Sequence, residues 1–243
     1  MATIDLAAVT FRYEDMQMRF DLHVESGELL ALIGPSGAGK STLLSLIAGF
    51  ERAESGAIRI DGADVTRVQP AARPVTMLFQ DHNLFAHLDV AANIGLGIHP
   101  GLKLKPDDRA KVDWSLAQVG LEGFNRRLPA QLSGGERQRV ALARSLVRNR
   151  PVLLLDEPFA ALGPALRREM LDLVRALQQS QSLTVLLVSH QPEDALYAAP
   201  RTAFVHDGHI LQVAETRSLF DGAAVPELRA YLGETWGNGR RPG

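Results

Sequence analysis

The stretch Gly34-Pro-Ser-Gly-Ala-Gly-Lys40-Ser41-Thr42 has the form G-x-x-x-x-G-K-S, the pattern of a phosphate-binding loop. It follows the apolar run 29–33, which predicts a buried strand, and precedes the apolar run 43–48, which predicts a helix. A phosphate-binding loop requires this strand-loop-helix context. The context therefore favours a nucleotide site over an ordinary glycine-rich turn.

The residue types in this loop indicate how it would bind phosphate. Glycines allow a tight turn in which successive backbone N–H groups point at phosphate oxygens, and the helix adds the positive end of its dipole. We expect Lys40 to reach the β- and γ-phosphates of a bound nucleotide and the hydroxyl of Ser41 to ligate Mg²⁺. The predicted ATP-binding residues of the loop are Gly34, Pro35, Ser36, Gly37, Ala38, Gly39, Lys40, Ser41 and Thr42.

Length and composition narrow the class of protein. A chain of 243 residues with 46% hydrophobic residues can form one large domain or two small ones around a real core. The formal net charge of −2 gives no support for a nucleic-acid partner. The chain has no cysteine, which excludes disulfides, thiolate metal sites and cysteine nucleophiles. We expect no secretory signal, and no run approaches the roughly 18 apolar residues that span a bilayer.

The pattern of apolar residues predicts an α/β fold. Four nearly continuous apolar runs (29–33, 75–79, 152–155 and 184–188) are typical of strands that are covered on both faces. Amphipathic helical patterns lie between them, as expected for a parallel sheet. At the front, residues 3–28 and 58–60 predict an antiparallel β piece. Near the end, Asp207-Gly208 predicts a hairpin turn between 202–206 and 209–213.

The domain organisation follows from one long segment in which the alternation of strands and helices stops. The segment from about 84 to 140 contains no convincing strand, and Lys105-Pro106 begins a helix within it. We interpret the segment as a helical subdomain inserted into the α/β core. Residues 1–236 then form one ATP-binding domain, and we expect the Gly-, Arg- and Pro-rich tail 237–243 to be disordered.

Two acidic residues follow one of the buried strands. Asp156 and Glu157 come directly after the run 152–155, and the carboxyl ends of parallel strands share the sheet edge where the phosphate loop lies. Asp156 could hold Mg²⁺ as a Walker B acid does, while Glu157 could polarise an attacking water. The alternative is two acids at a helix start, which the accompanying phosphate loop disfavours.

A second glycine-rich stretch, Ser133-Gly134-Gly135-Glu136, is predicted to open the helix whose apolar face lies at 140–147. A serine followed by glycines at a helix start can cap the helix, and it can also bind an anion. The residue types alone leave both interpretations open.

Together these features resemble the ATP-binding subunits of ABC transporters, over nearly the whole chain. Residues 132–138 match the family signature LSGGQ-x-Q with Glu136 in place of the commoner Gln. Phe79-Gln80 matches the Q-loop, Ser189-His190 matches the switch histidine, and Tyr13 lies where the family stacks an aromatic ring on adenine. The resemblance implies the P-loop NTPase fold of ABC ATPases, with the signature on the helical subdomain.

The resemblance also implies roles for the site residues. Glu157 would position or activate water and His190 would hydrogen-bond the γ-phosphate, while Mg²⁺ would be held by Ser41, Gln80 and Asp156. Two copies would form a head-to-tail dimer with two ATP molecules between them. The signature residues of one copy would then contact the ATP bound to the other; they are Ser133, Gly134, Gly135 and Glu136.

Within the family, the stretches 74–85 and 93–104 are similar to the ATPases of thiamine and thiamine pyrophosphate importers. This implies an integral membrane permease as partner, a substrate-binding protein as indirect partner, and a peripheral place on the cytoplasmic face of the bacterial inner membrane. No nucleic-acid partner is expected. An ATPase of another small-molecule importer, or of an exporter or lipoprotein-release system, would share every one of these catalytic residues and is the alternative.

Two further expectations concern the dimer and the permease. Gly163 replaces the aspartate that helps to bridge the two subunits in the family, so we expect a working ATPase that is slower or less well coupled. Leu84, Phe85 and Leu88 follow the Q-loop and could anchor a membrane-subunit helix. Packing of these three residues within the helical subdomain is the alternative.

Overall fold

A computed structural model describes residues 2–79, 84–222 and 225–233. The strands are β1 (Ile4–Tyr13), β2 (Met16–Val24), β3 (Leu29–Ile33), β4 (Ser55–Ile60), β5 (Ala63–Asp64), β6 (Val75–Leu78), β7 (Val152–Asp156), β8 (Thr184–Val188), β9 (Arg201–His206) and β10 (His209–Glu215). The helices are α1 (Lys40–Ala48), α2 (Val90–Gly95), α3 (Pro106–Gln118), α4 (Gly134–Leu146), α5 (Pro164–Ser180), α6 (Pro192–Ala198), α7 (Thr216–Asp221) and α8 (Pro226–Leu232).

All ten strands belong to one sheet, in the order β5-β4-β1-β2-β10-β9-β3-β8-β7-β6. Strands β3, β8, β7 and β6 are parallel and correspond to the four predicted apolar runs. The run predicted to end at Phe79 ends one residue earlier as strand, at Leu78. Strands β1, β2, β4 and β5 pair antiparallel at the other end, and β9 and β10 form the predicted hairpin. The predicted combination of a parallel core with an antiparallel β piece is therefore confirmed.

The parallel strands are apolar throughout because both of their faces are covered. On β3, Leu30 and Leu32 pack into the cluster that contains Leu43 and Leu44 of α1. The alternate residues Ala31 and Ile33 pack into a second cluster that includes α4 and α5. Each strand residue thus enters one of two cores, which explains the missing alternation of polar residues.

The segment between β6 and β7 has no strand among its described residues, and it contains α2, α3 and α4. Helix α4 packs against both α2 and α3, and it begins at Gly134 and continues to Leu146. Residue 140, the expected end of the helical subdomain, therefore lies inside α4. Gly120 has a φ of +68° just after α3, as a helix-terminating glycine does. None of the helices in the described part of the chain combines the length and apolar character needed to cross a bilayer.

Candidate active site

The loop between β3 and α1 has a backbone shape that depends on its glycines. Gly34 has a φ of +149°, and a Cβ atom there would lie 2.0 Å from the carbonyl oxygen of Val205. Gly39, immediately before α1, has a φ of +100°, a conformation that L side chains rarely adopt. The neighbouring hairpin supports the loop, since Gly208 donates its N–H to the carbonyl oxygen of Ala38 over 3.0 Å. The loop is therefore a concave cradle formed largely of backbone.

Lys40 lies inside this cradle and is almost fully buried. Its Nζ atom donates hydrogen bonds of 2.7 Å to the carbonyl oxygens of Gly34 and Pro35. Burial lowers the pKa of the Lys40 ammonium, and the nearby carboxylates of Glu157 and Asp156 oppose that shift. The cradle thus contains a positive group at its centre, which suits a polyphosphate.

Asp156 and Ser41 form the part of the site that could hold Mg²⁺. The Ser41 hydroxyl, in the first turn of α1, donates to Oδ1 of Asp156 over 2.9 Å. Burial raises the pKa of Asp156 and the hydrogen bond from Ser41 opposes this. A hydroxyl and a carboxylate oxygen at this separation are hard oxygen ligands of the kind that Mg²⁺ takes beside a phosphate. The residues present therefore fit the ion.

Glu157 and His190 lie together at the same edge of the sheet. Nδ1 of His190 and Oε2 of Glu157 are 3.1 Å apart. Glu157 has a φ of +45°, which is uncommon for a residue with a side chain, and its N–H donates to the carbonyl oxygen of Val188 over 3.2 Å. The unusual backbone is therefore fixed by β8, and it places the carboxylate against the imidazole.

The segment that bears His190 has its own supporting contacts. The Ser189 hydroxyl donates to Oδ2 of Asp194 over 2.6 Å and accepts the N–H of Gln191 over 3.0 Å. Burial raises the pKa of Asp194, with the Ser189 hydrogen bond and the nearby Arg167 opposing it. From the other side, the Tyr231 hydroxyl donates to the backbone carbonyl oxygen of His190 over 3.0 Å.

The loop between Glu157 and α5 is held by a single guanidinium. Arg167 donates to the carbonyl oxygens of Leu162, over 2.9 Å, and of Phe159 and Ala160, each over 3.4 Å. These contacts fix the loop from the α5 side, although Gly163 supplies no side chain to it.

The signature residues form a helix cap. The Ser133 hydroxyl accepts the N–H of Glu136 over 3.3 Å, and a Glu136 carboxylate oxygen accepts the N–H of Ser133 over 2.6 Å. This reciprocal arrangement is a capping box, and the Ser133 N–H holds the pKa of Glu136 below its ordinary value. Gly135 lies close to Leu166 of α5, where a Cβ atom would approach the leucine methyls to 2.9 Å. Among the described residues, no hydrogen bond or ion pair joins these signature residues to the phosphate loop.

The structure therefore brings together five of the predicted site residues: Lys40, Ser41, Asp156, Glu157 and His190. Tyr13, at the end of β1, is 59% exposed and its ring is accessible. Gln80 lies outside the described residues, as does the expected tail 237–243. Three supporting residues were missed by sequence reasoning, namely Arg167, Asp194 and Tyr231. No motif marks Tyr231, which meets His190 across 41 residues of sequence.

A groove on another face is lined by exposed aromatic rings. Its volume is about 410 Å³, and Phe50, Phe79 and Phe85 line it together with Arg148. The rings of Phe50 and Phe79 are 5.8 Å apart, and Phe85 is 49% exposed. Leu84 instead packs against the core. Packing within the fold therefore accounts for Leu84, while Phe85 keeps an exposed ring.

Comparison with protein families gives a match to the ABC transporter family over residues 18–160. The thiamine import ATP-binding protein ThiQ of Chelativorans sp. (strain BNC1) is 55% identical over 234 residues, which cover 96% of this chain and 95% of that protein. The protein of the same name from Escherichia coli O157:H7 is 55% identical over 232 residues, covering 96% and 99% of the two chains. The resemblance drawn from the sequence, to ABC ATP-binding subunits and to those of thiamine importers, is confirmed.

Solved structures agree on the fold. An ATP-binding cassette of an ABC transporter in its ADP conformation superposes with a TM-score of 0.87 at 24% identity, covering 96% of this chain and 100% of that chain. A bacterial ABC transporter cassette described as dimeric gives a TM-score of 0.74 at 28% identity, covering 88% and 99% of the two chains.

Proposed function

This chain belongs to the ABC transporter family, and on that premise we propose that it is the ATP-hydrolysing subunit of an importer for thiamine or thiamine pyrophosphate. The observation that carries the proposal is the meeting of the Lys40 cradle, the Ser41–Asp156 pair and the Glu157–His190 pair at one sheet edge. Relatives with 51% to 55% identity that are named for thiamine import support the substrate. No residue of this subunit has to contact the vitamin itself.

We assign the residues the roles that the family resemblance implies. The backbone N–H groups of Gly34 and of 36–39 bind the phosphates together with the Lys40 ammonium, and Tyr13 stacks on adenine. Ser41 and Asp156 hold Mg²⁺, with Gln80 as a further ligand; the ion would neutralise charge on the phosphates when bound. Glu157 positions and activates the attacking water. His190, fixed against Glu157, donates a hydrogen bond to the γ-phosphate.

The partners extend the site beyond one chain. In a head-to-tail dimer, the N-terminus of α4 with Ser133, Gly134, Gly135 and Glu136 meets the γ-phosphate bound by the other copy. ATP then favours the closed dimer because it contacts both copies, and hydrolysis removes that preference. An integral membrane permease, served by a substrate-binding protein, would seat a cytoplasmic helix in the aromatic groove. This subunit would therefore lie peripherally on the cytoplasmic face of the bacterial inner membrane.

Substitution of Glu157 tests the catalytic assignment. Glu157→Gln keeps the shape of the side chain but removes its charge, so we expect ATP binding to persist while hydrolysis falls by about 100-fold or more. The trapped ATP should shift the purified protein toward a dimer in size-exclusion chromatography with light scattering. Lys40→Ala should instead lose nucleotide binding, measured by fluorescent ATP titration.

Glu122→Gln is the matched control, since it makes the same chemical change in an exposed turn and should leave both properties unaltered. Unaltered hydrolysis by Glu157→Gln would contradict the assignment. The substrate is tested separately by uptake of radiolabelled thiamine in a deletion strain, where normal uptake would reject the importer proposal.

A further inference from the structure

A tyrosine of the last described helix reaches the candidate active site. Tyr231 lies on α8, and its hydroxyl donates to the backbone carbonyl oxygen of His190 over 3.0 Å. Helix α8 is anchored on the α/β core because Leu228 and Leu232 are buried in the larger hydrophobic cluster. The hydroxyl is therefore presented by a packed element.

The Tyr231 ring is also tied to the strand that leads into the phosphate loop. Its centroid is 5.7 Å from that of Phe204, which is fully buried on β9. Phe204 pairs in register with Ile33, the residue before Gly34. One side chain thus links the segment bearing His190 to the start of the phosphate loop.

The phenol is suited to act as a donor. Burial, together with the nearby acids Glu193 and Glu157 and against the opposing backbone N–H of Gly34, raises the pKa of Tyr231 to about 12. The hydroxyl therefore keeps its proton throughout the physiological range. It is therefore available to donate to the carbonyl oxygen of His190.

We propose that Tyr231 is a positioning residue for ATP hydrolysis, which fixes the backbone at His190 relative to the phosphate loop. The Ser189–Asp194 hydrogen bond secures the same segment from the α6 side, and Tyr231 secures it from α8. The imidazole can then hold one place between Glu157 and the γ-phosphate. This inference rests on the proposed role of His190, to which it adds a contribution from the C-terminal helix.

The test is Tyr231→Phe in the full-length protein, assayed with ATP and Mg²⁺. Phenylalanine keeps the ring against Phe204 and removes only the hydroxyl. We expect kcat to fall by about threefold to tenfold, the size of one lost hydrogen bond, with the KM for ATP unchanged. The thermal midpoint should fall by no more than about 4 °C. A purely structural role would lower the midpoint and leave kcat at 25 °C unchanged.

Two further variants make the outcome decisive. Tyr197→Phe is the matched control because it removes a hydroxyl bonded to Asp172 on the surface, and it should leave kcat and KM unchanged. His190→Ala tests the premise, and normal hydrolysis by it would reject the role of His190 itself. Suppose that His190→Ala is impaired. The Tyr231 inference is then overturned if Tyr231→Phe keeps the wild-type kcat. It is also overturned if Tyr231→Phe has a lower kcat, an altered KM and a thermal midpoint lowered by more than about 4 °C.

Discussion

At the scale of the residue, the site groups are placed where their charges are poorly solvated. Burial works against the ionised forms of both Lys40 and Asp156, and each shift is only partly opposed by neighbouring groups. Glu157 adds a backbone with a positive φ. These features lower the stability of the free protein. When a triphosphate and Mg²⁺ bind, the phosphates neutralise the charge of Lys40, and the ion neutralises the charge of the carboxylates.

Gly163, like Glu136, departs from the pattern expected from the family resemblance, and its surroundings leave space for a side chain. It is the N-cap of α5 with a φ of −65°, no side-chain cap is present, and a Cβ atom there would meet nothing within 4 Å. We expect Gly163→Asp to raise ATP turnover or ATP-dependent dimerisation by about fivefold, the value of one added polar contact across the dimer. Steady-state hydrolysis measures the turnover, and light scattering measures the dimerisation.

An added N-cap would also stabilise each monomer, so a control must separate the two effects. Gly163→Ser caps α5 and restricts the unfolded chain in the same way, but it has no carboxylate to offer a second subunit. Both variants should raise the melting temperature, and only Gly163→Asp should raise turnover or dimerisation. Equal ATP turnover and equal dimerisation in the two variants would contradict the bridging explanation.

At the scale of the element, the helix that follows the phosphate loop depends on a buried arginine. Arg73 donates to the carbonyl oxygens of Leu46 and Ile47, the last turn of α1, over 2.7 and 2.8 Å. It also bonds the carbonyl oxygens of Val68 and Thr66. Gly49 leaves the space for it, since a Cβ atom there would lie 2.5 Å from Nε. The guanidinium thus gives the carbonyl oxygen of Ile47 a donor, and it adds a second donor to that of Leu46, which also accepts the N–H of Gly49 over 3.2 Å.

Removal of this guanidinium should weaken the fold itself. We expect Arg73→Met to lower the free energy of unfolding by roughly 2–4 kcal/mol, because buried carbonyl oxygens lose their donors. Arg73→Lys should recover only part of this, since an ammonium cannot match the planar fork. Urea unfolding followed by circular dichroism measures the change. Arg67→Met is the control, because Arg67 is an exposed residue nearby. If it lowered the free energy of unfolding as much as Arg73→Met does, the carbonyl contacts of Arg73 would contribute nothing.

How far an element could be predicted depends on how local its signal is. Strands β3 and β8 have the predicted bounds because both of their faces are buried and their apolar runs end abruptly. The start of α4 was predicted as well, because Ser133-Gly134-Gly135-Glu136 indicates a helix opening, and the capping box places the first helical residue at Gly134, well before the apolar pattern at 140–147. Its early start places the signature residues in the first turn of the helix.

The site residues that could be predicted from the sequence are those that follow a predicted strand. Ser41, Asp156, Glu157 and His190 each lie near the carboxyl end of a parallel strand, so the topology alone brings them together. Arg73 and Tyr231 donate to backbone carbonyl groups that lie 26 to 41 residues away in sequence, and Arg167 donates to three carbonyl groups of the loop before it. Such contacts have no residue pattern, and only the folded chain reveals them.

At the scale of the whole molecule, ATP hydrolysis must be transmitted to a membrane partner through a surface. The aromatic groove lies where the segment after β6 meets α4 and the end of α1, so it touches both the core and the helical subdomain. A patch of exposed rings beside basic residues is unusual for a surface without a partner. It therefore suits an amphipathic helix of the proposed permease.

Phe85→Ala separates transport from catalysis. Loss of an aromatic anchor from a docking groove typically costs about 2 kcal/mol or more of binding, so we expect transport in proteoliposomes to fall by about tenfold or more. Basal hydrolysis by the isolated subunit should stay unchanged, because the ring does not contact the Lys40 cradle. Leu211→Ala is the control, since it truncates an apolar residue of similar exposure on β10. Equal loss of transport and basal hydrolysis in Phe85→Ala would place the ring in the fold of the subunit and remove it from the docking surface.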